Sequence, residues 1–328
     1  GSEMCIRDSN ETVRAAALDA LYKLEADAPL TAARTALGRG PADVRRDVLI
    51  RIGRGRQALL AEGAELIELA LDDEDESVRS TAFLKSIAAR PSLMAKVRAV
   101  DSHTKKAVAE LESRGLFADA GDAKELVETD LRPLFAAMAC RFSDTALRAS
   151  RLLATLGDPR ATGALLQLSR ETDAGTRRYV VEALMCAALA MPSDRRATAR
   201  LRWLIDDVDQ TVRQAAFDVL QMLGEVDGAS GEIDVAALAL RAGNADVRVR
   251  ALQILVKFGG SGQYAKLKDL GAQADLLLGD ALDDEHDKVR GEAFRTLWAW
   301  HNKDPQQVLE RAARCLSLIH ISEPTRRT

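Results

Sequence analysis

The chain is poor in the residues that most often build metal sites and covalent cross-links. Its 328 residues include only four histidines and four cysteines, with no Cys-x-x-Cys pair and no His-Glu dipeptide. Structural zinc requires clustered Cys or His ligands, and a disulfide framework requires paired cysteines in a short secreted chain. The sequence therefore predicts no metal site and no disulfide, and it predicts that the cysteines are small core residues.

Motifs for phosphate binding and nucleophilic catalysis are missing as well. The glycine-rich stretches 228–232 and 259–263 do not continue into the Gly-Lys-Ser/Thr that a phosphate-binding loop requires. No Gly-x-Ser-x-Gly string, which presents a serine nucleophile in one class of hydrolase, occurs in the chain. We therefore expect no catalytic residue and no cofactor, so the chain is predicted not to be an enzyme. Both glycine-rich stretches are interpreted as connections between helices.

Long apolar runs and an excess of basic residues are also lacking. The apolar stretch 180–191 is interrupted by Glu182 and is shorter than the ~20 residues of a membrane-spanning helix. The net charge of −4 offers no general attraction for nucleic acid. The sequence predicts no membrane span, a cytoplasmic location and no nucleic-acid partner. The basic stretches 51–56 and 193–202 nevertheless keep a nucleic-acid-binding alternative open.

What the sequence does contain is one pattern that occurs many times. The stretch DDVDQTVRQAAFDVLQMLG at 206–224 has near-copies at 72–90, 243–259 and 283–300. Its Val, taken as position zero, recurs as Val or Thr at intervals of roughly 30 to 40 residues, apart from one doubled interval, which indicates stacked supersecondary units. Position zero is Val13, Val44, Val78, Thr145, Thr176, Val212, Val247 and Val289.

Each copy has the spacing of a capped helix with one buried stripe. Positions zero, +4, +8 and +11 fall within an arc of about 80° on a helical wheel, and +4 is Ala or Val throughout. In five copies position −3 is Asn or Asp, whose side-chain oxygen accepts a free backbone N–H at a helix start. An amphipathic segment, such as 64–71 or 234–240, ends near −7. Each unit is therefore predicted to consist of a first helix, an acidic turn and a capped second helix.

An arginine follows position zero in seven of these copies. The helical wheel places +1 between the buried stripe and a further apolar position at +5, so the arginine stem is packed and its charged head needs an acceptor. The acidic turns of adjacent units supply one, and we interpret the row as a structural ladder and not as a ligand site. Its members are Arg14, Arg45, Arg79, Arg177, Arg213, Arg248 and Arg290.

The acidic turn, the Val-Arg pair, the Ala at +4 and the Leu-Gly endings at 156–157 and 223–224 resemble HEAT repeats of the short bacterial kind, which include repeats similar to those of phycobilin lyases. The resemblance covers roughly residues 10–315. It implies an all-α protein folded as a right-handed α-solenoid of stacked antiparallel helix pairs, in which each unit contacts mainly its neighbours.

The resemblance also suggests how the chain is organised. We expect a HEAT-like array over 10–316 with about nine units, one of which, near 98–135, is either degenerate or a functional insertion. The flanks 1–9 and 317–328 break the pattern and look like translated adapter sequence on a gene fragment. The oligomeric state stays open.

In the absence of a catalytic motif, the resemblance implies a scaffold that presents a concave helical surface to a protein or peptide. Offsets +2 and +6 lie opposite the buried stripe, and their mixed charge favours a protein partner over a uniform polyanion. A nucleic-acid binder similar to HEAT-like alkylpurine glycosylases and a bilin-lyase-like protein are the alternatives. Partner contact is predicted for Arg46, Arg151, Arg178, Glu182, Gln214, Asp218, Arg295 and Trp298.

Overall fold

The computed structural model describes residues 10–24, 29–52, 63–100, 131–259, 262–301, 306, 308–310 and 313. These residues form sixteen α-helices and three short 3-10 turns and contain no β-strand. The predicted all-α solenoid class is thereby confirmed. The predicted flanks 1–9 and 317–328 and the central part of the predicted degenerate unit, 101–130, lie outside the described residues.

The helices follow one another with short connections wherever the intervening residues are described. The 3-10 turns are Ala70–Asp72, Val256–Phe258 and Ala281–Asp283. The α-helices are α1 (Glu11–Leu24), α2 (Pro29–Arg39), α3 (Ala42–Ile52), α4 (Ala64–Leu69), α5 (Glu76–Ala88), α6 (Pro91–Val100), α7 (Arg132–Met138), α8 (Ser143–Thr155), α9 (Arg160–Leu168), α10 (Ala174–Ala190), α11 (Arg195–Leu204), α12 (Gln210–Val226), α13 (Gly228–Ala239), α14 (Ala245–Leu255), α15 (Lys268–Asp280) and α16 (Asp287–Trp300).

The chain divides into two compact units. The first comprises the described residues up to Glu171 together with Cys186–Asp194, and the second comprises Thr172–Met185 together with the described residues from Arg195 onward. In the first unit α7 packs on α8, α8 packs on α9, and the second helices α3 and α5 pack on each other. In the second unit α12 packs on α13, α13 packs on α14 and α15, and α14 packs on α16. Helix pairs therefore stack in layers within each unit.

The alanine at +4 explains how closely the second helices can pack. Ala82, Ala149, Ala216, Ala251 and Ala293 are completely buried. A methyl group at this place lets a neighbouring helix approach, while the longer residues at zero and +8 fill the space on either side. The predicted stripe is wrong at Val13, which is 39% exposed in the first turn of α1, where no described helix precedes it.

The Leu-Gly pair ends one second helix but not the other. Gly157 follows the end of α8 with φ of +80°, a left-handed conformation that glycine adopts without strain. Gly224, by contrast, lies inside α12, which continues to Val226, so the ending predicted at 223–224 is wrong. The reason is a close helix crossing, because a Cβ on Gly231 would lie 2.5 Å from the Gly224 carbonyl oxygen.

The interpretation of 228–232 as a connection is also wrong, since α13 begins at Gly228 immediately after Asp227. Gly228 has φ of +77° and makes the sharp reversal from α12 into α13. The cysteine prediction needs correction too. Cys140 lies in the turn between α7 and α8, and both it and Cys186 are only half-buried. Cys5 and Cys315 lie outside the described residues.

Candidate functional site

Six of the seven arginines at +1 make ion pairs with an aspartate of the next helix pair that the structure describes. The side chain of Arg177 and its partner Asp207 are both less than one-tenth exposed, so this pair is buried. The other arginines and acids of the set are buried to half-buried. The pairs are Arg14–Asp43, Arg45–Asp73, Arg79–Asp144, Arg177–Asp207, Arg213–Asp246 and Arg248–Asp284.

The acids occupy two alternative places, and each place gives its own geometry. Where the aspartate lies at −5, in the turn before the cap, both carboxylate oxygens are engaged: Arg177 Nε and Nη2 donate to Asp207 Oδ2 and Oδ1, each at 2.8 Å. Where it lies at −1, in the first turn of the second helix, one oxygen takes both bonds: Arg213 Nε and Nη2 donate to Asp246 Oδ2 at 3.3 and 3.0 Å. Two parallel bonds are the stronger arrangement for a guanidinium and a carboxylate.

A second set of bonds explains why the arginine stands at +1. Arg213 Nη1 donates to the carbonyl oxygens of Asp207 and Val208, in the turn that precedes its own helix. Arg79 and Arg290 bond their own turns in the same way. Five guanidinium groups therefore both satisfy carbonyls left open after a first helix and reach on to an aspartate of a later helix pair, namely those of Arg45, Arg79, Arg177, Arg213 and Arg248. The bond to Asp73 raises the pKa of Arg45, and the bond to Asp207 raises that of Arg177.

The exception in the ladder has a counterpart in the sequence. The unit that begins at Thr145 has Ala146 at +1 in place of arginine. The following unit, whose zero position is Thr176, has no aspartate at either acceptor position, since it carries Gly175 at −1 and Glu171 at −5. Loss of the arginine thus coincides with loss of the aspartate acceptor, although an acid, Glu171, remains at −5.

The predicted caps form at four of the five positions. The carboxylate of Asp209 accepts the backbone N–H groups of Thr211 and Val212, and Asp75 makes the corresponding bonds in α5. Asn10 accepts the N–H of Thr12 and Asp173 accepts that of Thr176, whereas Asn244 makes no side-chain cap bond. The Thr211 hydroxyl and the two N–H groups lower the pKa of Asp209, because they stabilise its ionised form.

The residues predicted for partner contact fall into two groups. Those on the face of the second helices α10, α12 and α16 are exposed, and this group consists of Arg178, Glu182, Gln214, Asp218, Arg295 and Trp298. Arg46 on α3 and Arg151 on α8 are half-buried and offer less surface to a partner. Asp218 is paired with Arg250 of α14, and Arg295 is paired with Glu292 of its own helix.

Position +3 contributes residues to the same face that the sequence pattern did not single out. Tyr179, next to Arg178, is 61% exposed. Elsewhere an arginine at +3 stacks on the +5 phenylalanine of the described unit before it. The guanidinium carbon of Arg250 lies 4.7 Å from the Phe217 ring centroid, and that of Arg148 lies 5.0 Å from the Phe83 ring centroid. The recurrence of Phe at +5 and Arg at +3 could have predicted these contacts from the sequence, because stacking of a guanidinium on an aromatic ring is favourable when the cation is partly desolvated.

A buried acid in the second unit was also missed. Glu232 of α13 is 1% exposed and is bound by Lys257 Nζ at 2.5 Å and by the Tyr264 hydroxyl at 2.6 Å. Burial lowers the pKa of Lys257, but its bonds to Glu232 and Glu225 outweigh that effect and raise it. The bond donated to Glu232 raises the pKa of Tyr264. This cluster ties the segment after α14 to α13, and both carboxylate oxygens of Glu232 have partners.

Metal-ligand clusters and membrane-spanning helices are both absent from the described residues. Among them, no group of three or more His, Cys, Asp or Glu side chains is arranged to hold a metal ion. No helix in the described parts of the chain combines the length and the apolar character needed to cross a bilayer.

No protein-family model matches the chain, and no curated protein matches it. Among solved structures, it is similar to a chain of the Kap95p–RanGDP structure, in which Kap95p binding induces the switch loops of RanGDP to adopt the GTP-bound conformation (TM-score 0.44, 12% identity, 91% of this chain and 40% of that one). It is also similar to a chain from the tubulin-recruiting Tumor Overexpressed Gene domain arrays of microtubule polymerases (0.40, 11%, 98% and 82%) and to Cex1p (0.44, 11%, 92% and 60%).

The chain thus spans 40% of the length of the chain in the Kap95p–RanGDP structure. All of these TM-scores lie below 0.5, so the similarities support no conclusion about the fold or the function of this chain. The repeated helix pairs and their Arg–Asp bonds define the architecture of each unit, and the resemblance to short bacterial HEAT repeats stays a prediction.

Proposed function

We propose that the chain is a non-catalytic scaffold that binds a protein or peptide partner, and that it acts in the cytoplasm. Its contact surface in the second unit is the exposed face of the second helices α10, α12, α14 and α16, here called the second-helix face. The observation that carries the proposal is that each of these helices has some polar residues bound inside the array and others exposed on one face. The +1 arginines are bound within the array, whereas Arg178, Glu182 and Gln214 are exposed to solvent.

Two exposed aromatic residues give this face its expected anchors. Tyr179 is 61% exposed and Trp298 is 42% exposed, with the Trp298 ring 5.8 Å from that of Phe294. Tyrosine and tryptophan bury much area at low entropic cost and dominate binding energy at protein interfaces. Their neighbours are charged residues of both signs, which favours a partner with its own mixed charges over a polyanion.

The proposal is tested by panning a displayed library of protein fragments against the chain and measuring the affinity of the selected binders. We expect Tyr179→Ala and Trp298→Ala each to weaken the main class of binders by about tenfold or more, because losing an anchor side chain costs about 1 to 2 kcal/mol. Leu276→Ala is the matched control, since Leu276 is more exposed than either aromatic residue but lies on the first helix α15.

Circular dichroism should show unchanged folding of all three variants. If both aromatic variants bind the selected fragments as the unaltered chain does, the second-helix face is not the contact surface.

A further inference from the structure

A second surface of the second unit, on the opposite helix layer, has a different chemistry. The first helix α11 carries four arginines and one tryptophan in ten residues and contains no acid. On a helical wheel its buried residues Ala197, Leu201 and Leu204 span about 60°, and the five basic and aromatic positions span about 160° on the other side. The arginines and the tryptophan therefore form one continuous basic face. They are Arg195, Arg196, Arg200, Arg202 and Trp203.

Trp203 is the largest apolar group on this face. Its side chain is 60% exposed, and the Arg200 guanidinium lies 4.0 Å from its ring centroid. Val208, in the turn that follows α11, is almost entirely exposed. Arg195 and Arg202 are exposed as well, so charge and apolar area are offered together. Tryptophan and arginine are the residues most enriched at the energetic centres of protein interfaces.

A small cleft opens beside this face, between α11 and α13. Its walls are Leu220 and Leu223 of α12 with Val235 and Leu238 of α13, and its rim carries Arg202 and Asp227. The Gly224–Gly231 crossing shapes the cleft by drawing α12 and α13 together. Its volume of about 90 Å³ is below the ~300 Å³ at which small-molecule pockets begin. The cleft therefore suits one apolar side chain better than a cofactor.

We propose that the α11 face and this cleft together form a docking groove for a short acidic peptide segment of a protein partner. Carboxylates of the peptide pair with Arg195 and Arg202, one apolar side chain fills the cleft, and another packs on Trp203. Charge complementarity selects the acidic segment, and the apolar cleft selects the anchor residue. The α12 residues that it uses, Leu220 and Leu223, lie at +8 and +11 and not at the +2 and +6 positions of the second-helix face, so the groove is separate from that face.

The surroundings of the groove favour a peptide over nucleic acid. Asp206 follows α11 and is exposed, and Asp227 and Asp234 line the cleft. A phosphate backbone carries a negative charge at every nucleotide and would meet these acids as it extended beyond the arginines. A peptide can place its few carboxylates on Arg195 and Arg202 and an uncharged side chain beside Asp227 and Asp234, and the four apolar residues of the cleft have no role in binding phosphate.

The test pans a randomised displayed peptide library against the intact chain at low salt, with counter-selection on the Trp203→Ala variant. We expect the enriched peptides to contain several Asp or Glu and an aliphatic or aromatic residue. Synthetic fluorescein-labelled versions should bind about tenfold more weakly to Trp203→Ala, to Arg202→Gln and to Thr198→Phe, which fills the cleft from its rim. Lys268→Gln and Trp298→Ala, exposed residues on α15 and α16, are matched controls that should bind normally.

Three results would overturn the proposal. The first is a selection that enriches no acidic peptide. The second is binding of the enriched peptides that is unaffected by the three groove variants, and the third is tighter binding of single-stranded oligothymidylate that the same variants abolish. Loss of peptide binding in Trp298→Ala but not in Trp203→Ala would assign the peptides to the second-helix face and would leave the proposed scaffold function intact.

Discussion

The buried pair of Arg177 and Asp207 provides the sharpest test of the ladder. In Asp207→Ala the Arg177 guanidinium loses two bonds of 2.8 Å while its head stays buried, and the backbone N–H of Asp209 loses its acceptor at 2.9 Å. Removing one partner of a buried ion pair costs about 3 to 5 kcal/mol, because the remaining charge is left uncompensated. We expect a destabilisation of that size, concentrated around the contact between α10 and the turn that holds Asp207.

Asp246→Ala is the matched control. Its partner Arg213 uses a single carboxylate oxygen, and the Asp246 side chain is about one-third exposed. Water can therefore replace the lost acid, and the expected cost is at most about 1 kcal/mol. The double variant Arg177→Met, Asp207→Leu should be less destabilised than Asp207→Ala alone, because apolar replacement of both partners removes the unpaired charge.

Urea unfolding measured by circular dichroism gives the overall ranking of these variants. Because stacked repeats can unfold in parts, hydrogen exchange of the α10 and α12 amides should accompany it. If Asp207→Ala is no less stable than Asp246→Ala, or if the double variant is the least stable of the three, the destabilisation does not come from an unpaired buried charge at Arg177.

Three further predictions concern the acceptor position, a cap and the buried glutamate. The double change Ala242→Asp, Asp246→Ser moves the acceptor of Arg213 from −1 to −5 of the following unit and should let both carboxylate oxygens bind the guanidinium. We expect a higher urea midpoint, with stabilisation of roughly 1 kcal/mol. A lower midpoint than in Asp246→Ser alone would contradict this expectation. Because the pKa of Asp209 is lowered in the folded chain, the ionised Asp209 side chain stabilises the fold at any pH above the pKa of an unfolded aspartate, about 3.9. This stabilisation is lost as the pH falls through the pKa of the folded state. Asp209→Asn keeps the capping oxygen but cannot titrate, so acid unfolding below about pH 4 should become less steep, and an unchanged acid profile would speak against this origin. Glu232→Ala should cost about 2 to 3 kcal/mol, because the buried carboxylate loses its bonds with Lys257 and Tyr264 while Lys257 keeps Glu225 as a partner. Tyr264→Phe should cost only about 1 kcal/mol. Equal hydrogen-exchange protection of 262–268 in both variants would show that Glu232 does not hold this segment.

The local features of the fold could be predicted well from the sequence. Caps at Asp75 and Asp209 and the buried alanines at +4 follow from the order of residues within one helix, where spacing and hydrogen-bond chemistry act over a few positions. The errors at Gly224 and 228–232 have the opposite origin. Glycine usually marks a helix end, but here two glycines let α12 and α13 touch, and that contact depends on a neighbouring helix.

The candidate surfaces divide in the same way. Helical periodicity alone placed Arg178, Glu182, Gln214 and Asp218 opposite the buried stripe, and they are exposed. It did not reveal the α11 groove, because half of that groove comes from α12 and α13.

By itself, then, the amino-acid order determined the helix pairs, their caps and the need for an acid near each +1 arginine, since these follow from periodicity and from the cost of an unpaired charge. Only the tertiary structure decided which aspartate pairs with each arginine, how Glu232 is buried and where the cleft between α11 and α13 opens. Those outcomes depend on the approach of helices that are far apart in the sequence, and packing, not local preference, sets that approach.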